Sequence, residues 1–188
     1  MTDSPASFKS LEESTAEDWQ ALTSAFLPFL ADLPNRILAQ MRKLENDHGG
    51  FPVSRLEHCL QTATRAFQDG RDEEYVVCAL LHDIGDHLAP AAHADLAAAI
   101  LKPYVSPENH WMVQQHGLFQ GVYFFHHIGL DRHMRDQFRD HPWFERTAEF
   151  CAKYDQPSFD PGFISMPLEE FAPMVHRVLA AERVGRAA

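Results

Sequence analysis

With 188 residues, 45% of them hydrophobic and 23% charged, the chain has the size of one globular domain with a sizeable apolar core, and a second full-sized domain is not expected. Sixteen Lys and Arg stand against 27 Asp and Glu, a formal net charge of −11 that argues against nucleic acid or an anionic membrane as partner. The first 30 residues carry acids (Asp3, Glu12, Glu13, Glu17, Asp18) where a secretory signal needs a basic start, and no stretch is long enough to span a bilayer, so the expectation is a soluble, uncleaved, cytoplasmic protein.

Apolar positions recur at three and four rather than two, and helix punctuation marks the breaks, which predicts an all-α bundle without strands. Residues 1 to about 15 are polar and expected to fray ahead of a single domain over 16–188. Thr15 with Asp18 caps a helix through Trp19, Leu22 and Phe26 to a stop near Pro28, and a second helix spans about 34–44. ENDHGGFP, from Glu45 to Pro52, is a loop. Ser54 and Glu57 form an S-x-x-E capping box for a helix with the buried stripe Leu56, Leu60, Ala63 and Phe67, ended by Gly70. Asp72 caps EEYVVCALLHD, a largely apolar helix expected at the bundle centre and ending at Gly85. A short Ala-rich helix from His93 to Lys102 stops at Pro103, and Ser106-Pro107 opens another that runs to His116 and Gly117. Residues 118–139 have no clean assignment, with Gly121 and Gly129 as bends. Asp140 starts a helix over HPWFERTAEFCAKYD, and a last helix lies within 168–182 despite Pro173.

Three cysteines, Cys59, Cys78 and Cys151, lack a CxxC spacing and lie in apolar-periodic segments, which suits reduced core thiols. The chain holds 12 histidines, spread along its length, and these ask for a metal. His82-Asp83 stands at the C-terminal end of the buried helix, with His82 on the face of Tyr75 and Cys78 or Ala79. His58 lies 24 residues earlier and can face the same interior, while Phe144, Ala148, Cys151 and Asp155 are spaced 4, 3 and 4, which puts the Asp155 carboxylate on a buried stripe where an unpaired anion is costly. Imidazole and carboxylate without thiolate suit iron, manganese or zinc in a catalytic site. With His93 and His116 the set has four imidazoles and two carboxylates, more than one ion needs, so two metals bridged by Asp83 are expected. His87 is an alternative to His93, and His110 to His116, although its six-residue offset puts it on another helical face.

His58, His82-Asp83 and Asp155 on successive helices resemble the HD-domain superfamily of metal-dependent phosphohydrolases. His93 and His116 narrow the likeness to the mixed-valent diiron oxygenases, namely myo-inositol oxygenase and the organophosphonate-cleaving oxygenases. RLEHCLQTATRAFQDGRDEEYVVCALLHDIGD is similar to the organophosphonate branch in wording and in the 24-residue gap, EFCAKYDQPSFDP resembles the end of the site in both, and the likeness covers roughly residues 48–180. Two positions depart from it. Where the organophosphonate enzymes have a Tyr-x-x-Glu latch this chain has His48 and Phe51, and where they carry His, or myo-inositol oxygenase carries Lys, it has Asp86.

The resemblance implies an HD-domain bundle with two iron ions, Fe2+ and Fe3+, ligated by His58, His82, Asp83, His93, His116 and Asp155, acting with O2 on a small hydroxylated substrate to cleave a C–C or C–P bond. The rival is a phosphohydrolase using another divalent metal on a nucleotide or phosphate ester, and a third class is a metal-stabilised binding domain without turnover. Asp86 is expected to face a cationic or hydroxyl group of the substrate. His48, flanked by Gly49 and Gly50, is a candidate to shield iron in place of the missing tyrosine, against the plainer reading of an exposed loop side chain. Lys102, Arg132 and Arg135 are candidates to grip an anionic group and Tyr123 to wall the pocket, with a solvated helix face or simple packing as the alternative for each.

Overall fold

The computed structural model describes residue 6 and residues 8–180; residues 1–5 and 7 of the segment expected to fray, and the expected helix end at Glu182, lie outside the described residues. Among the described residues there is no strand, as predicted. The α-helices are α1 (Ala16–Ala31), α2 (Leu33–Arg42), α3 (Arg55–Gln68), α4 (Glu73–Leu81), α5 (His93–Leu101), α6 (Pro107–Phe124), α7 (Phe144–Phe150) and α8 (Leu168–Ala180). None of them is long and apolar enough to cross a membrane.

The centre is α4. Every side chain from Tyr75 to Leu81 is buried, and α3, α6 and α8 pack around it. Each large apolar group removed from water here contributes about 1.5–3 kcal/mol before entropy is counted. The start of α4 is fixed by Asp72, whose carboxylate accepts the Tyr75 N–H at 2.9 Å. α1 opens with a reciprocal Thr15–Asp18 capping box. At α3 only half of the expected box forms: Ser54 accepts the Glu57 N–H at 3.1 Å, while the Glu57 carboxylate turns to Gln61 at 3.1 Å and Ser165 at 2.9 Å. Gly70 ends α3 as predicted, at φ +75°, a conformation a β-carbon resists. The three cysteines are buried and unpaired, in keeping with core thiols.

Helix boundaries and one buried position differ from the sequence expectation, and α4 ends at Leu81 instead of Gly85. α1 passes through Pro28 to Ala31, because the Asp32 N–H still reaches the Pro28 carbonyl at 3.0 Å and Arg36 satisfies the Phe29 carbonyl at 2.6 Å. α6 continues beyond Gly117 to Phe124; Gly121 stays helical, and a β-carbon there would overlap the Phe125 ring, so this glycine serves close approach and not a stop. α7 begins at Phe144, not at Asp140. Phe67, expected on the buried stripe of α3, faces outward. Past Phe150, α7 widens into a π-type turn, Cys151–Asp155, in which the Gln156 N–H reaches five residues back to the Cys151 carbonyl at 3.0 Å. The wider turn lets Phe150, Cys151, Tyr154 and Asp155 all point inward, and such turns recur where a side chain must be re-aimed. Tyr154 ties it to the end of α3: its hydroxyl accepts from Arg71 at 2.7 Å and donates to Asp69.

Candidate metal centre

Four helices and the end of α4 deliver the six side chains that the sequence singled out to one place in the core. α3 presents His58, α4 ends on His82 with Asp83 next in chain, α5 begins with His93, α6 presents His116 one turn before Gln120, and the wide turn after α7 presents Asp155. His58, His82, His116 and Asp155 are buried, while Asp83 and His93 are partly so.

Each imidazole is oriented by a backbone carbonyl. The Nδ1 atoms of His58, His82 and His116 meet the carbonyl oxygens of Ser158 at 2.9 Å, Ala79 at 2.8 Å and Val113 at 2.7 Å, and that of His93 meets Pro90 at 3.3 Å. A carbonyl only accepts, so Nδ1 carries the proton and Nε2 turns an electron pair toward the centre. The result is a cluster of donors facing one another. His58 Nε2 lies 3.1 Å from His82 Nε2 and 3.2 Å from Asp155 Oδ1; His93 Nε2 lies 3.3 Å from His116 Nε2. Only cations can satisfy such a set.

Asp83 sits between the two groups. Its Oδ2 is 3.4 Å from His58 and 3.3 Å from His82, while its Oδ1 is 3.1 Å from His116 and 3.5 Å from His93. Metal–ligand bonds of about 2.1 Å at angles between roughly 90° and 110° require donor–donor edges of about 3.0–3.4 Å. The observed edges run from 3.1 Å, inside that range, to 3.5 Å in one group and 3.6 Å in the other, slightly beyond it. Among the described residues three sets of donor atoms lie close enough together to hold an ion, namely His58 with His82 and Asp155, His82 with Asp83 and His116, and Asp83 with Asp86 and His93; the distances around Asp83 are also compatible with two ions that share it. One oxygen of Asp155 remains: its buried Oδ2 has no hydrogen-bond partner, whereas Oδ1 accepts from Gln120 at 2.8 Å.

Close packing shifts the titration of the clustered groups. Burial by itself lowers the basicity of His58, yet its hydrogen bonds to Asp155 and Asp83 lift it to about 9. Burial favours the neutral acid at Asp83, but the His82 charge and hydrogen bonds from His116, His58 and His82 hold it well below the ordinary carboxylate range. Asp155 is pulled down in the same way, against burial, by His58 and His82.

The remaining predicted residues are placed differently. Asp86 does not offer a free carboxylate to a substrate. Its Oδ2 is paired with the Arg55 guanidinium, and its Oδ1 faces His93 Nδ1 at 3.5 Å. Tyr123, at the third turn of the His116–Gln120 face, is partly exposed near Asp155 and Cys151; burial and then the latter groups push its hydroxyl up. His48 is exposed and its side chain makes no hydrogen bond or ion pair, so it is not among the residues gathered at the cluster. Lys102 ends α5 nine residues from His93, about 13 Å along the helix, and Arg132 is exposed beyond α6; neither reaches the centre. His87 is exposed, and His93 holds the place for which it was the alternative, as His116 does for His110.

Arg55, Gln120 and Phe159 were not identified from the sequence. Beside His58 a small pocket opens, lined by Phe51, Val53, Ser54, Arg55, Asp86 and Phe159. Phe159 stacks on His58 with centroids 4.3 Å apart, and Phe51 stacks on Phe159 at 5.1 Å. Arg55 Nε is bound to Asp47 at 3.1 Å. Its place three residues before His58, on the same face of α3, was the available signal.

No protein-family model matches the chain. Over 44 residues it is 52% identical to the glycine-betaine-forming 1-hydroxy-2-(trimethylamino)ethyl phosphonate dioxygenase of Leisingera caerulea, a match that covers 23% of this chain and 22% of that protein. The chain is thus similar, over that short stretch, to an oxygenase, and it carries a buried His/Asp cluster compatible with a metal site.

Proposed function

We propose that this chain is a dinuclear HD-type metalloenzyme, an iron-dependent oxygenase that cleaves a C–P or C–C bond next to a hydroxylated carbon of a small substrate. The observation that carries the proposal is Asp83, whose two oxygens face different pairs of imidazoles, an arrangement that suits two ions sharing it. The likeness to a phosphonate dioxygenase adds the reaction class. When bound, a ferrous–ferric pair supplies Lewis acidity toward a substrate oxygen and the redox capacity for O2. For an α-hydroxyphosphonate the overall change balances with one O2: the CH(OH)–P unit becomes a carboxylic acid and phosphate.

The protein's own groups have separate tasks. The four backbone carbonyls fix the imidazole tautomers and ring orientations. Phe51 and Phe159 wall the pocket against water on the His58 side. Arg55 explains the departure at Asp86: where the related oxygenases carry a cation at that position, here the carboxylate holds a guanidinium brought from α3. With Nε on Asp47 and one Nη on Asp86, Arg55 keeps N–H donors for an anionic substrate group. The test is anaerobic iron loading followed by 1-hydroxy-2-(trimethylamino)ethyl phosphonate and related hydroxyphosphonates. Phosphate release that requires O2 and consumes it one for one is expected. Phosphate release from nucleotides or phosphate esters without O2 would instead establish a phosphohydrolase.

A further inference from the structure

Among the described residues Asp155 is the only acid with no exposed surface, and its polar surroundings are sparse. Its Oδ2 has no hydrogen-bond partner. The imidazoles beside Oδ1, His58 at 3.2 Å and His82 at 3.6 Å, in their neutral form turn Nε2 electron pairs toward it, because backbone carbonyls hold their Nδ1 protons. What remains is the side-chain amide of Gln120, whose Nε2 donates to Oδ1 at 2.8 Å. A buried carboxylate served by one neutral donor is costly, and a cation beside Oδ1 supplies what is missing.

The Gln120 contact is one of a matched pair. On α6, His116 and Gln120 stand four residues apart on one face; on the wide turn after α7, so do Cys151 and Asp155. The Cys151 thiol donates to the His116 carbonyl at 3.4 Å, and one turn further along Gln120 donates to Asp155. The two rungs lie about 6 Å apart along α6 and brace a turn that lacks regular α-helical bonding. A neutral amide suits the second rung, since it steers the carboxylate without cancelling its charge. A Lys or Arg in its place would compete with a metal ion for Asp155.

Given the metal reading of the cluster, on which this rests, we propose that Gln120 is a positioning residue for the metal centre: it fixes the oxygen and the orientation that Asp155 presents to an ion held with His58 and His82, and leaves the side of His93 unaffected. α6 thus serves the centre twice, once through His116 and once through the amide one turn later.

The test reads metal affinity in two backgrounds. His116→Ala leaves the set of His58, His82 and Asp155 whole, whereas His58→Ala breaks it and leaves His93 and His116 in place. Each is titrated anaerobically with ferrous iron against a chromophoric chelator, with and without Gln120→Met, which keeps the length of the side chain and removes the donor. In His116→Ala, Gln120→Met should weaken iron binding about 10-fold, the scale for loss of an outer-shell partner, and in His58→Ala it should change nothing. Gln120→Asn, which keeps an amide too short to reach Oδ1, should give the same result and guards against a folding defect of the first variant; circular dichroism checks both, and Gln120 is partly exposed. Unchanged affinity in His116→Ala, or equal weakening in both backgrounds as a general loosening of α6 would give, would overturn the proposal. A wild type that binds no iron with Gln120 intact would remove the metal reading itself, and this role with it.

Discussion

Replacing Asp83 by alanine removes one donor from each of two groups, and the structure sets the size of the effect. Its Oδ2 stands 3.3–3.4 Å from His82 and His58 and its Oδ1 3.1–3.5 Å from His116 and His93, so under the proposed bridging each half of the cluster takes one of its oxygens as a ligand. Four-donor protein sites bind zinc with about 10–16 kcal/mol, roughly 2.5–4 kcal/mol per donor, or about 100- to 1,000-fold in affinity. Asp83→Ala should therefore weaken both ions by about that factor. His116→Ala should weaken only the ion shared with His93, and His58→Ala only the ion shared with His82 and Asp155. The assay is anaerobic loading, desalting and metal analysis per chain, with circular dichroism confirming that each variant is folded. Full retention of one metal by Asp83→Ala, or equal loss of both by His116→Ala, would refute the bridging assignment.

Asp86→Asn leaves Arg55 with Asp47 alone and takes a full negative charge from beside His93; the ion at His93 and His116 should bind about 10-fold more weakly, the usual scale for an outer-shell partner, and the other ion should be unaffected in the same metal analysis. In the metal-free protein the raised basicity of His58 contributes stability that is fully present below pH 6.5 and lost as the pH climbs through about 9, whereas the lowered Asp83 and Asp155 lose theirs only as the pH falls below the carboxylate range. Chelator-treated protein should accordingly melt at a lower temperature at pH 9.5 than at pH 7, and metal loading should release protons; an unchanged melting temperature contradicts the sign. Leu80→Ala, at a fully buried position of α4, should cost about 2–5 kcal/mol in chemical denaturation. His48→Ala should leave metal content and the rate of iron autoxidation unchanged, because the side chain is exposed and faces no partner; faster autoxidation would restore the shielding role.

The residues that gather in the His/Asp cluster were legible because each sits in a pattern that folding obeys locally. His82 falls on the face of Tyr75 in a helix apolar all round, and the count of four imidazoles and two carboxylates is what raises the expectation of a bridge. What stayed hidden depends on contacts across the chain. Arg55 reads as a surface charge until the fold sets it between Asp47 and Asp86, eight and 31 residues away. Asp86 reads as an open carboxylate for the same reason. Gly121 reads as a bend because glycine marks both turns and close approaches, and only the Phe125 ring decides which. Asp155 was placed on the inner face by an α-helical spacing, and it does face inward, but through a wider turn that leaves Tyr154 bound to Arg71 and Asp69. Hydrophobic periodicity gives neither the turn type nor the tie that holds it.

The central claim, two coupled irons on one bridging carboxylate, is tested most directly by electron-spin resonance. Protein loaded with ferrous iron under nitrogen and partly oxidised should show the signal of a spin-coupled ferrous–ferric pair, integrating to one spin per two irons, and should lose it in Asp83→Ala. Iron bound at one ion per chain, or present only as an isolated ferric signal, would contradict the account.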